Sequence, residues 1–372
     1  MRRCLDKDIE RCEKMSFEDN IRKVVPYVAG EQPQGDVIKL NTNEFPYAPS
    51  PMVATRMYDL AEAEIENKSS MLRKYPNMDA ANLVSAISSV YKVDEDKIFV
   101  GVGSDDVLAM AFLTYFNSKK PIIFPDITYS FYDVWADLFK IPYEVKNLDE
   151  NFKINVDDYL GNDNGGIIIP NPNAPTGIAE DVSFFEKIIK ANPDSIVIID
   201  EAYVDFGANS CLGLIDKYDN LVVVQTFSKS RALAGLRIGL AFANPKLIKY
   251  LKDVKFSINS YTMNYPAIEI ATAAVLDTDY FHKTVNQLIK TREWTKKELK
   301  KLGFKFGDSK ANFIFAAHEK VSGEEIFTKL KEKNIYVRHW NKPRIEDYLR
   351  ISIGTDDDMK KLIEALKEII NA

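Results

Sequence analysis

Between residues 98 and 226 the chain repeats one arrangement: a short continuous apolar run, then a polar turn, then a segment with apolar residues three and four apart. The runs are Ile98–Val102, Pro121–Phe124, Ile141–Val145, Gly166–Ile169, Ile196–Ile199 and Leu221–Thr226. A strand that is apolar on every residue has to be covered on both faces, and helices over Ser104–Phe116, Tyr129–Leu138 and Val182–Ala191 supply the cover. The pattern predicts an α/β fold with a mostly parallel central sheet covered by helices. Amphipathic helices around Met52–Asn67 and Asp79–Tyr91 precede it. Beyond about Pro245 the texture changes to a lysine-rich helix, His282–Leu302, then shorter strands and helices to a last helix at Asp357–Ile370. This predicts a smaller α+β domain. The expected division is an arm over 1–40 that joins the small domain, a large domain over 41–255 and the small domain over 256–372.

A chain of 372 residues suits two domains. Its 49 Lys and Arg against 55 Asp and Glu leave a net charge of -6, so phosphate-backbone binding to nucleic acid is not expected. Three scattered cysteines (Cys4, Cys12, Cys211) and three histidines (His282, His318, His339) give neither a disulfide framework nor a metal-ligand spacing, and no metal is expected. No apolar run is long enough for a membrane span, and Met1–Met15 lacks the apolar core of a secretory signal, so a cytoplasmic protein is expected. Met15 is a candidate start, with Met1–Lys14 an extension without catalytic consequence.

In an open parallel sheet, ligands bind beyond the carboxyl ends of the strands. Four such ends here carry polar groups. Gly103-Ser104-Asp105-Asp106 opens a helix whose free N–H groups suit a phosphate. Asn171-Pro172-Asn173-Ala174-Pro175-Thr176-Gly177 is a stiff loop that fixes an Asn side chain. Asp200-Glu201-Ala202-Tyr203 puts a carboxylate where burial is costly without a partner. Phe227-Ser228-Lys229-Ser230 places a lysine between a buried strand and a Gly-rich stretch, where a lowered pKa suits it to condense with a carbonyl.

Singly, each has a plain reading: a helix cap, a turn, a backbone-bonded Asp, a solvated lysine. Jointly they meet the needs of pyridoxal phosphate, which requires an amine, a carboxylate for its ring nitrogen, donors for its ring hydroxyl and a phosphate anchor. A dinucleotide site is excluded, because Asp106 stands where the third glycine of the fingerprint belongs.

The chain from about Ile21 to its end resembles the fold-type I pyridoxal-phosphate aminotransferases, and among them the histidinol-phosphate aminotransferases. The resemblance rests on VVPYVAG (24–30), KLNTNEFPYAPSP (39–51), KYPNMDAANL (74–83), GVGSDD (101–106), NPNAPTG (171–177), VIIDEAYVDF (197–206), TFSKSRALAGLRIG (226–239) and LRISIGT (349–355). It implies that Lys229 is the catalytic amine and proton carrier, that Asp200 pairs with the ring nitrogen, and that Tyr203 bonds the ring hydroxyl. It further implies that Tyr129 stacks on the ring, while Ser104, Asp105, Thr226, Ser228 and Arg237 surround the cofactor phosphate. Tyr75 would reach that phosphate from a partner subunit, which implies a homodimer. Arg350 would bind the carboxylate of glutamate or 2-oxoglutarate, with Arg338, Tyr27 and Asn43 as further substrate contacts; where Arg22 and Arg344 point is not set by sequence. Related enzymes carry Asn directly before Pro-Thr-Gly, where this chain has Ala174, and Asn173 is the expected stand-in. The implied reaction moves an amino group between L-histidinol phosphate and 2-oxoglutarate. An aromatic amino-acid aminotransferase, a threonine-phosphate decarboxylase on the same scaffold, and a catalytically idle cofactor-binding module are the alternatives.

Overall fold

The computed structural model describes residues 17–66, 70–161 and 163–371. The candidate start at Met15, Cys4 and Cys12 lie outside the described residues. Among the described residues the strands are, in chain order, β1 (Ile38–Lys39), β2 (Ile98–Gly101), β3 (Ile122–Pro125), β4 (Tyr143–Lys146), β5 (Gly166–Pro170), β6 (Val197–Asp200), β7 (Leu221–Thr226), β8 (Gly239–Ala243), β9 (Phe304–Phe306), β10 (Phe313–His318), β11 (Ile335–Tyr336), β12 (Arg338–His339) and β13 (Tyr348–Ser352).

β2 to β8 form one seven-stranded sheet in the order β2-β8-β7-β6-β5-β3-β4. All its pairings are parallel except those of β8, which runs against both neighbours. The apolar runs are continuous because alternate residues serve two cores. Ile167, Ile169, Val197, Ile199, Val223 and Phe242 pack under the helices Ala81–Tyr91, Val182–Ala191 and Tyr265–Leu276. Ile168, Ile198, Val222, Val224 and Ala241 pack under Ser104–Tyr115, Tyr132–Phe139 and Pro245–Ile258. The smaller body is an antiparallel sheet, β12-β13-β10-β9, covered by the helices Thr278–Lys301, Gly323–Glu332 and Asp356–Asn371. β1 and β11 pair in parallel as a separate two-stranded sheet, and the adjoining Leu40 and Ile335 pack in the core of this body.

Among the details that differ from the sequence reading, two bear on the site. Gly239–Ala243 was not expected as a strand, yet it is buried throughout between β2 and β7; five residues of Gly, Ala, Leu and Phe give little β-branched signal. The expected boundary at 255 falls inside the helix Pro245–Ile258, and the helix after it, Tyr265–Leu276, buries Ala267, Ile268, Ala271 and Val275 in the large core.

β8 begins where the backbone comes closest to the start of the helix Ser104–Tyr115. A Cβ on Gly239 would overlap the backbone of Gly103 and Ser104. We predict that Gly239→Ala costs about 1–3 kcal/mol of unfolding free energy, as overpacking does in a rigid site. Urea unfolding of the two proteins measures it, and equal midpoints would refute the close approach.

Candidate active site

β2 to β7 without β8 all point their carboxyl ends the same way. The loops leaving those ends, the arm and the small sheet enclose a cavity of about 620 Å3. β2 ends at Gly101, and the helix Ser104–Tyr115 starts from Gly103 (φ +87) with no side chain capping it. Its first N–H groups and positive dipole end therefore remain available to an anion. A side chain on Gly103 would overlap the Arg237 guanidinium, which closes over this turn. Arg237 Nη2 lies 3.2 Å from Asp105 Oδ2 and its Nη1 3.4 Å from Ser228 Oγ. The other Asp105 oxygen accepts from the Tyr129 hydroxyl at 2.8 Å.

Ser104, Asp105, Ser228 and Arg237 all line the cavity. Asp105 differs from the rest of that set, because its carboxylate is taken up by Arg237 and Tyr129. Its side chain orients those two, and its backbone N–H is what an anion would meet. Thr226 is also set apart: it does not line the cavity, donating to Ile238 O at 3.0 Å and accepting from the Ser228 N–H at 3.1 Å. It positions Ser228.

Asp200, the last residue of β6, is 4 % exposed and lines the cavity. Its oxygens accept from the Tyr132 hydroxyl at 2.8 Å and the Ala202 N–H at 3.2 Å, and no cationic side chain pairs with it among the described residues. Burial pushes its pKa up to about 6. Lys229, on the turn after β7, reaches the carbonyl of Thr42 at 3.4 Å and stands 5.7 Å over the Tyr203 ring. Tyr203 is braced edge-on by Phe313. Tyr129 lines the same wall and meets Tyr132 and Trp135 edge-on.

Asn173 does not take the place expected of it. It is buried at 2 % exposure and is absent from the cavity wall; its Nδ2 donates to Ile127 O (2.9 Å) and its Oδ1 accepts from Thr128 Oγ1 (3.0 Å). The one-residue offset turns it into the loop, and Ala174 and Pro175 form the wall instead. Tyr75 is also outside the cavity of its own chain, 80 % exposed and stacked on Tyr261 at 4.6 Å.

The small body contributes the far wall. Arg338 of β12 and Arg350 of β13 are direct cross-strand partners, an arrangement of like charges that costs energy unless an anion is shared. Both guanidinium groups lie against the Trp340 ring, at 5.4 and 5.3 Å. Arg350 Nη2 donates to Asn41 O at 2.9 Å, while its Nε is buried without a partner, and burial holds its pKa below the usual value. Arg338 donates to the carbonyls of Val28 and Ala29 and so ties down the arm. Tyr27 on that arm stacks on Phe131 at 4.2 Å and lines the cavity, as does Asn43. Arg22 points away, donating to Leu138 O. Arg344 lines the rim but is held by Asp126 (2.7 Å) and the carbonyls of Leu148 and Asp149. The lining carries six cationic side chains against four carboxylates, although the whole chain is net negative, so the cavity suits anionic small molecules.

Sequence reasoning missed Tyr132, Trp340 and the Asp126–Arg344 pair. Tyr132 follows Tyr129 at helical spacing, and Trp340 follows Arg338 at strand spacing, so both faces were readable. The Asp126–Arg344 pair joins two bodies far apart in sequence and left no such trace.

The family model for aminotransferases of class I and II matches residues 35–366. The chain is 50 % identical to the histidinol-phosphate aminotransferase of Lactococcus lactis subsp. cremoris (strain MG1363), over 96 % of this chain and 98 % of that protein. It is 47 % identical to that of Clostridium beijerinckii, over 95 % and 97 %. Among solved structures, the histidinol-phosphate aminotransferase from Clostridium acetobutylicum superposes with a TM-score of 0.81 at 24 % identity, covering 90 % of this chain and 99 % of that one. The Sinorhizobium meliloti enzyme in complex with pyridoxal-5'-phosphate gives 0.79 at 20 % identity, over 90 % and 91 %. At these identities the superpositions speak for the fold.

A carboxyl whose folded pKa is raised loses stability as pH climbs from its unfolded value toward its folded one, and stays penalised above. For Asp200, raised from 3.8 to about 6, the penalty amounts to about 2–3 kcal/mol at pH 8. We predict that in cofactor-free protein Asp200→Asn is more stable than wild type by that amount at pH 8, and that the gap narrows as pH falls through 5. Denaturant unfolding at the two pH values measures it; a gap that is absent or grows on acidification would show that Asp200 carries no burial penalty.

Proposed function

The chain belongs to the class I and II aminotransferases, within them to the histidinol-phosphate aminotransferase family, and on that premise we propose how its residues carry out the reaction. The reaction transfers an amino group from L-histidinol phosphate to 2-oxoglutarate, giving imidazole acetol phosphate and glutamate, in histidine biosynthesis. The observation that supports the residue assignment best is Asp200, a buried carboxylate facing the cavity with no cationic partner among the described residues. It fits a cofactor with a protonatable ring nitrogen. The uncapped turn at Gly103–Ser104 with Arg237 and Ser228 fits that cofactor's phosphate, and Lys229 its carbonyl.

When bound, pyridoxal phosphate supplies a carbonyl that condenses with amines and a protonated ring that accommodates the electron pair left when the substrate α-carbon loses its proton. Asp200 holds the ring nitrogen in its charged form, since a carboxylate deprived of water favours an adjacent cation. Lys229 Nζ holds the cofactor between turnovers and, as a free amine, moves the proton to and from the α-carbon. Tyr129, on the cavity wall, would pack against the ring. Arg350 and Arg338 bind the anionic end of each substrate in turn, and the unpartnered Arg350 Nε is a donor suited to a carboxylate or phosphate oxygen. Tyr27, held on Phe131, shields that end from water.

The same proposal includes a homodimer in the cytoplasm. Its support is that Tyr75 and Tyr261 form an exposed aromatic pair away from their own cavity, where a second copy would make use of them. Scarce, scattered cysteines suit a reducing compartment.

Lys229→Ala is expected to reduce turnover by more than about a thousandfold with the fold retained. Retention of near-normal rate would overturn the assignment. Adding histidinol phosphate without keto acid to the cofactor-loaded protein is expected to abolish its visible absorbance band; phenylalanine or threonine phosphate doing so in its place would favour the sister activities. Tyr75→Ala is expected to weaken cofactor binding about tenfold, although the residue touches no cavity of its own chain. Unchanged affinity in a titration, with dimers confirmed by sedimentation, would remove Tyr75 from the site.

A further inference from the structure

Asn43 stands in the left-handed region at φ +55, is 1 % exposed, and is gripped by the small body on three sides. Its backbone N–H donates to Ser352 Oγ at 2.9 Å, its carbonyl accepts from Asn312 Nδ2 at 2.9 Å, and its Oδ1 accepts from Ser352 Oγ at 3.0 Å. The amide oxygen faces Ser352, whose Oγ accepts from the Asn43 backbone N–H and donates to Asn43 Oδ1. The amide nitrogen is then the end that meets Tyr203, and it donates to the phenol oxygen at 3.0 Å. A hydroxyl that accepts one bond keeps its own proton for another partner.

We propose that Asn43 is a positioning residue that aims the Tyr203 proton into the cavity, making Tyr203 a donor to the ring oxygen of the bound cofactor. The inference rests on the pyridoxal-phosphate reading above. The other candidate donors on that wall are missing: Ala174 presents a methyl group, and the Asn173 amide is occupied by Ile127 and Thr128. The tyrosine must therefore serve this oxygen without help from the neighbouring loop. A directed proton is what makes it sufficient, because a hydroxyl free to turn would present a lone pair to the oxygen part of the time. Through Ser352 and Asn312 the direction is imposed by the small body, although Tyr203 belongs to the loop after β6.

The test reverses the bond at nearly constant shape. Asp in place of Asn43 tolerates the same backbone region, but it can only accept, so the Tyr203 proton turns toward it and away from the cavity. Gly in that place removes the side chain without backbone strain. Both variants and wild type would be titrated with pyridoxal phosphate, and the pH midpoint of the visible band would be followed without substrate. A ring oxygen that loses its donor holds the nearby proton more tightly. Asn43→Asp is therefore expected to raise the midpoint by about one pH unit and weaken cofactor binding about tenfold. Asn43→Gly is expected to move both in the same direction by less, and in a Tyr203→Phe background it is expected to change neither. If the wild-type band is normal and Asn43→Asp leaves midpoint and affinity unchanged, the inference fails alone. An Asn43→Gly effect that persists in full without the tyrosine hydroxyl would equally overturn it, as a merely structural role. Wild-type protein that gives no band with pyridoxal phosphate would overturn the cofactor reading and this inference with it.

Discussion

Burying a carboxylate at the end of a central strand is unfavourable, and among the described residues Asp200 bears that penalty with two neutral donors, a tyrosine hydroxyl and one backbone N–H. Much of the surrounding structure follows from tolerating it. Parallel strands on both sides keep water from reaching it along the sheet. Tyr132, which satisfies one oxygen, is itself buried and belongs to the aromatic cluster with Phe112, Phe124 and Trp135. The next residue, Glu201, faces the other way and has a different fate. Ser210, the Cys211 N–H and Gln225 surround it, burial raises its pKa to about 7, and it pins the loop over 203–211 to β7. Two adjacent acids are thus divided by the strand's two-residue period into one that faces the cavity and one that fastens the loop carrying Tyr203.

The central sheet was legible because its strands are apolar on both faces and each ends in a polar turn. The sheet end of the cavity was legible for the same reason: Asp200 ends a strand, and Lys229 and the Ser104 turn follow strands, so placing the strands places them. Legibility dropped where side-chain direction matters more than position. Asn173 lies in the expected loop, but one residue of offset decides between wall and interior, and Ala174 lines the wall. Asp105 was grouped with phosphate ligands, yet a carboxylate already bonded to Arg237 and Tyr129 acts on its neighbours. Long-range partners were hardest, and the Asp126–Arg344 pair spans 218 residues.

The wall from the small body follows a different logic. Its two arginines face each other across β12 and β13 and share one indole ring, which spreads their charge over a polarisable surface and holds both at a set height. On the proposed reading, the same pair would receive a phosphate and a carboxylate in succession. Trp340 and Ile345 belong to a short segment that Arg344 fastens to the loops after β3 and β4, with Ile127, Leu148 and Phe315 packed beneath.

The reversal of β8 separates two kinds of grip. Because β8 runs back alongside β7, one turn of chain between Thr226 and Gly239 carries both Lys229 and Arg237, with Asp105 and Ser228 holding the Arg237 guanidinium. Arg338 and Arg350 sit instead on the other sheet. A shift of one body against the other would change the reach of Arg338 and Arg350 and leave Lys229 and Arg237 on their common stretch of chain. On the proposed reading, a resident group would stay in register while its visitors are exchanged.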